Sequence, residues 1–105
     1  MALRAHKYKA KRTEIDGISF PSILESKYYQ TLKLRLAAKD IRYFLRQVPI
    51  HLPGNVKLVV DFLVFENDGS VRYIETKGMM TPIAKMKIKQ AEAIYPIKIE
   101  IVKKA

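Results

Sequence analysis

Cysteine is absent from the chain, which excludes disulfide staples, thiolate nucleophiles and cysteine-rich zinc sites. Histidine is scarce, and His6 and His51 stand far apart, so any metal would need oxygen ligands. No apolar run approaches the roughly 20 residues that cross a bilayer, and no apolar signal segment follows the basic start. The expectation is a soluble, cytoplasmic protein with no membrane partner. Acidic residues are also in short supply: 10 Asp and Glu stand against 20 Lys and Arg, a formal charge of +10. Such an excess points to a polyanionic partner, nucleic acid before an anionic membrane surface. Charge by itself supports binding, not catalysis.

What is present suits one compact domain. At 105 residues and 49% hydrophobic content the chain can bury a core but is too short to divide comfortably. Residues 1–12, MALRAHKYKAKR, read as a basic flexible arm. Lys7, Lys9, Lys11 and Arg12 would either lie against phosphates or be solvated. Residues 13–105 form the domain. Asp16-Gly17 between Ile15 and Ile18 predicts a short hairpin. Pro21 and Ser22 open a helix whose inward stripe is Glu25, Tyr29, Leu32 and Leu36. IRYFLRQVPIHL reads as a strand, placed at an edge or near a strand end by Pro49. Residues 56–65 form an apolar strand covered on both sides, and 70–77 return as the second arm of a hairpin through NDG. Thr81 and Pro82 start a second helix reaching about Ile94, with Ile83, Met86, Gln90 and Ile94 inward. IKIEIV closes as a strand parallel to the one before that helix. The fold class is α/β, with a core order α-β-β-β-α-β and a mixed central sheet flanked by helices.

The hairpin at 56–77 carries the chemistry. A three-residue NDG loop with Gly69 left-handed makes Glu66 face Ser70, and counting back sets Asp61 opposite Glu75 on one face. A two-residue DG loop would instead bring Asp61 opposite Thr76 and off that face. Opposed side chains have Cβ atoms roughly 4.5–5.5 Å apart, and Lys77 points the same way as Glu75 by alternation. Two carboxylates that close repel unless a proton, a lysine or a divalent cation neutralises them. A hard cation such as Mg²⁺ suits the oxygen ligands, while a buried ion network among Asp61, Glu75 and Lys77 is the structural alternative. Glu25 has two readings as well. It completes a Ser22-x-x-Glu25 capping box, yet it falls on the inward stripe, where a third carboxylate would reach the sheet.

These residues resemble the PD-(D/E)XK nuclease superfamily: a helix-borne Glu25, Asp61 within an apolar strand, and ETK as a Glu75-x-Lys77 signature on the next strand. The element order matches that restriction-endonuclease-like core. DGISFPSILESKYYQTLKL and YIETKG look similar to small phage-encoded members related to Holliday-junction resolvases and RecB-type nucleases. The resemblance runs over roughly residues 13–102, with Val60 where many members have proline. It implies a Mg²⁺-dependent DNA endonuclease, with Mn²⁺ able to substitute, acting on branched or junction DNA and often as a homodimer. Asp61, Glu75, Glu25 and the Thr76 carbonyl would hold metal, and Lys77 would stand near the attacking water. Phage-encoded relatives suggest a bacterial host cytoplasm.

Around this centre, Lys85, Lys87, Lys89 and Arg46 are candidates for phosphate contacts, or solvated surface charges. Gln90 would touch metal-bound water or serve as a hydrogen-bonded core residue, and Gln47 would approach the cleft or remain a polar strand residue. Two rival functions share the same charge: a non-catalytic nucleic-acid-binding protein with a structural acidic cluster, and an RNA-directed factor.

Overall fold

A computed structural model describes residues 12–105 of the chain, so the proposed arm positions Lys7, Lys9 and Lys11 lie outside the described residues. The chain folds as β1 (Thr13–Ile15), β2 (Ile18–Phe20), α1 (Ile23–Ala37), β3 (Ile41–Leu52), β4 (Val56–Glu66), β5 (Val71–Thr76), α2 (Pro82–Ile94) and β6 (Ile99–Val102). β1 and β2 form a two-stranded sheet, and the other strands form a mixed sheet in the order β3-β4-β5-β6. The pairs are antiparallel except β5 with β6. This is the α/β architecture expected from the element order. No helix among the described residues is long and apolar enough to cross a membrane.

Local chemistry accounts for the joints. Asp16 and Gly17 adopt φ of 55° and 77°, the left-handed pair that a two-residue hairpin turn requires. Asp16 Oδ2 then accepts from Tyr29 Oη at 2.8 Å and Lys33 Nζ at 2.9 Å, tying the hairpin to α1. Ser22 caps α1, its Oγ accepting from the Glu25 amide at 3.1 Å. Gly69 has φ of 92°, and the Glu66 amide donates to the Ser70 carbonyl at 2.9 Å. The three-residue NDG loop is therefore the one formed, and the slipped register is excluded.

The core is divided in two. Phe20, Tyr29, Leu32, Ile41, Phe62, Val64 and Ile74 make one cluster beneath α1. Leu52, Leu58, Val60, Ile88, Ala91 and Ile99 make the other against α2. β4 serves both: Leu58 and Val60 belong to the second cluster, Phe62 and Val64 to the first. The hand-over falls at Asp61. On β3 the matching position is Gln47, at φ of 53°, and pairing resumes on either side as Arg46↔Phe62 and Val48↔Val60. The aspartate thus sits where a continuous apolar strand passes from one cluster to the other.

The inward face of α2 differs from the one expected. Ile88 and Ala91 are buried, whereas Ile83, Met86 and Ile94 are 64%, 54% and 48% exposed and Gln90 is exposed. Ile88 and Ala91 meet the cluster built on Val60 and Ile99, which fixes the helix rotation that its own apolar residues left open.

Phe62 anchors the first cluster, fully buried with its ring 5.4 Å from Tyr28 and 6.3 Å from Phe44. Phe62→Ala is expected to cost about 3–5 kcal/mol, read from urea unfolding. A loss under about 1 kcal/mol would show that the site collapses around the deletion and that this cluster does not anchor the sheet.

Candidate functional site

The β4–β5 ladder runs from Phe65↔Val71 to Phe62↔Ile74 and then changes character. Asp61 Oδ2 accepts from the Thr76 amide at 2.9 Å and the Thr76 hydroxyl at 2.7 Å. In return, the Asp61 amide donates to Glu75 Oε1 at 3.0 Å. Each acid takes a main-chain N–H from the opposite strand, so the two side chains replace ladder bonds where the strands part. Backbone donors in the interior need such partners. The reciprocal arrangement also holds the two carboxylates side by side.

Glu25 and Glu75 are 3% and 4% exposed. Burial, followed by the charge of Asp61, pushes the Glu75 carboxyl up to about 7. The same two causes in the same order raise Glu25. Arg46, at 3.7 Å from Glu25 Oε2, and Lys77 offset part of the negative charge gathered here.

Gln47 links the acids from the far side. Its Nε2 donates to Glu25 Oε2 at 3.0 Å and lies 3.4 Å from Asp61 Oδ1. Its left-handed backbone, at the point where Asp61 lacks a β3 ladder partner, aims the amide there. Of the two roles expected for Gln47, the cleft role is the one observed. No spacing in the sequence marks a strand glutamine at positive φ, since that geometry comes from the β3–β4 junction.

Glu25, Gln47, Asp61, Thr76 and Lys77 line one cleft of about 510 Å³, with Ser22, Gly78 and Lys103 at its walls. Glu75 opens on the other side, into a smaller depression shared with Lys77, Lys57 and Lys87. The structure thus brings all four motif residues together, with a correction. Asp61 and Glu75 are neighbours through the Asp61 amide, but they face adjoining openings, with Lys77 common to both. The two acids meet just beyond the last ladder pair, Phe62↔Ile74.

Glu25 does not complete the capping box: Ser22 caps its amide, but its carboxylate goes to Gln47 and, at 3.7 Å, to Arg46 Nη2. Arg46 packs its guanidinium 4.7 Å from the Phe20 ring centre, with its Nε buried without a partner. Thr76 donates to Asp61 Oδ2 through both its amide and its hydroxyl. Gln90, exposed on α2, is absent from the walls of both openings. Arg12 donates to Ser19 Oγ at 3.1 Å. Lys85 and Lys89 are exposed on one side of α2, beside Ile101 and Lys103.

Among the described residues no group of three or more His, Cys, Asp or Glu side chains is arranged to hold a metal ion. Asp61 and Glu75 each accept from the opposite strand, and Glu25 accepts from Gln47 and lies beside Arg46. A pair of oxygen donors fits Mg²⁺, which keeps several waters and commonly takes one or two carboxylates plus substrate phosphates.

Residues 5–105 match the model of a family described as a protein of unknown function, DUF1064. No curated protein and no solved structure matches the chain.

Proposed function

The chain belongs to the DUF1064 family, and we propose that it is a metal-dependent DNA endonuclease of the PD-(D/E)XK kind that its motif resembles. The observation that carries this reading is the reciprocal clamp of Asp61 and Glu75 across two strands, with Lys77 between their openings. In this reading Asp61 and Glu75 hold Mg²⁺ or Mn²⁺. A bound divalent ion would offset phosphate charge and lower the pKa of water. The protein's part follows from the geometry. Thr76 fixes Asp61 Oδ2, and Gln47 ties Asp61 Oδ1 to Glu25, so the acids are held in place before substrate arrives. Lys77 offers an ammonium to charge developing on the phosphate. The net charge of +10 draws the polyanion in. Branched or junction DNA as substrate, action in the cytoplasm, and a homodimer bringing two sites to two strands follow from the resemblance.

A second reading has its own support. The absence of a three-acid metal group among the described residues favours a non-catalytic nucleic-acid-binding protein whose acids only secure the strand junction. Purified full-length protein incubated with supercoiled plasmid, a four-way junction, single strands and RNA, in Mg²⁺, Mn²⁺ or EDTA, separates them. The expected result is divalent-dependent nicking of DNA, strongest on the junction. Binding without cleavage under every condition would give the answer to the second reading, and selective cutting of RNA would replace the substrate class.

A further inference from the structure

The depression onto which Glu75 opens has a volume of about 270 Å³, and three lysines come to it from three separate elements. Lys57 comes from the start of β4, Lys77 from just after β5 and Lys87 from the middle of α2. Lys77 and Lys87 are half-buried and Lys57 is exposed. Among the described residues none of the three is in an ion pair, and Glu75 is the only acid on the wall.

Three lysines lining one small depression concentrate positive charge there, and partial burial of two weakens the screening that water provides. Such an arrangement is relieved by an anion entering from solvent. The volume is below the roughly 300 Å³ at which pockets begin to enclose drug-sized ligands, so a phosphate group fits better than a base. Lys77 also lines the cleft with Asp61 and Glu25, and Lys103 stands at that cleft's other wall. A chain of phosphates crossing Lys77 would therefore meet the acids on one side and the lysine trio on the other.

We infer that Lys57 and Lys87, together with Lys77, form a phosphate-anchoring subsite. It holds a backbone phosphate of the nucleic-acid strand beside Glu75, next to the one that lies across Lys77 in the cleft of Asp61. The subsite rests on the proposed nuclease reading for its register, but not for its affinity. Lys57 and Lys87 are positioning residues: they fix where the strand lies and take no part in bond breaking.

The test compares two double variants of equal charge: Lys57→Gln with Lys87→Gln, and, as control, Lys27→Gln with Lys98→Gln at exposed positions outside both openings. Binding to a duplex oligonucleotide is measured in EDTA across a salt series, so no cleavage is needed. The subsite variant is expected to bind at least about tenfold more weakly than the control. Its log affinity against log salt should be shallower than wild type by roughly 2. Lys57→Gln alone, the more exposed change, should show about half that slope effect. With Mg²⁺ present, the double variant should raise KM with little change in kcat. Equal weakening in the two double variants would overturn the subsite by showing that total charge alone matters. Should cleavage be seen while the variants bind equally, the subsite falls and the nuclease reading stands; should the subsite variant bind worse without any cleavage by wild type, the reverse holds.

Discussion

Asp61→Asn is expected to reduce divalent-dependent DNA cleavage by at least about a thousandfold, equivalent to about 4 kcal/mol of transition-state stabilisation, while DNA binding in EDTA stays within about threefold. The substitution keeps size and shape and removes the charge. The remaining carbonyl oxygen can still accept from the Thr76 amide and hydroxyl, which Asp61 Oδ2 holds at 2.9 and 2.7 Å. What it loses is an anionic oxygen that, with Glu75, can bind a hard cation. Single-turnover cleavage of a junction substrate and a parallel binding titration give the two numbers. Equal loss of binding and cleavage would trace the defect to folding, and retained cleavage would remove Asp61 from the chemistry.

The second large effect is on stability. Glu75 is raised from 4.5 to about 7 by burial and by the neighbouring charge of Asp61. Its folded-state pKa therefore lies above the unfolded value. Between about pH 4.5 and 7 the folded protein retains a proton that the unfolded chain has released, so stability falls as pH rises through that window. Full ionisation corresponds to a loss of about 3 kcal/mol. Glu25, raised for the same reasons, adds to the loss in the same direction. Urea unfolding in EDTA should show decreasing stability from pH 5 to pH 8. Glu75→Gln should flatten that decline, since the amide carries no proton to lose. Mg²⁺ at pH 8 should recover stability in wild type and not in Glu75→Gln, because an ion that binds only the folded pair shifts the equilibrium by mass action. A profile that rises with pH would contradict the burial argument, and no response to Mg²⁺ or Mn²⁺ would favour the non-catalytic reading.

Much of the fold is local chemistry and so was legible in the chain. The Asp16-Gly17 turn, the Ser22 and Thr81 caps, Gly69 in the NDG loop and the edge position of Pro49 each depend on a few adjacent residues, and all formed as expected. The register that sets Asp61 beside Glu75 was readable for the same reason, since loop length propagates along a ladder. The rotation of α2 was not. Its apolar residues occupy two faces, and only Val60 and Ile99 beneath it select Ile88 and Ala91 over Ile83 and Met86.

The candidate site divides along the same line. Residue identities and spacing determined that Glu25 lies on a helix, Asp61 and Glu75 on paired strands and Lys77 at the end of the second, and that the chain carries an excess of positive charge. Tertiary structure alone decided that Gln47 bridges two of the acids, that Arg46 turns inward onto Phe20, that Glu75 opens beside Lys57 and Lys87, and that Asp61 sits at the hand-over between two cores. Those features depend on where separate elements meet, and the free energies that choose between neighbouring side-chain directions there are a few kcal/mol of burial and hydrogen bonding spread over distant residues. No stretch of adjacent residues contains that information.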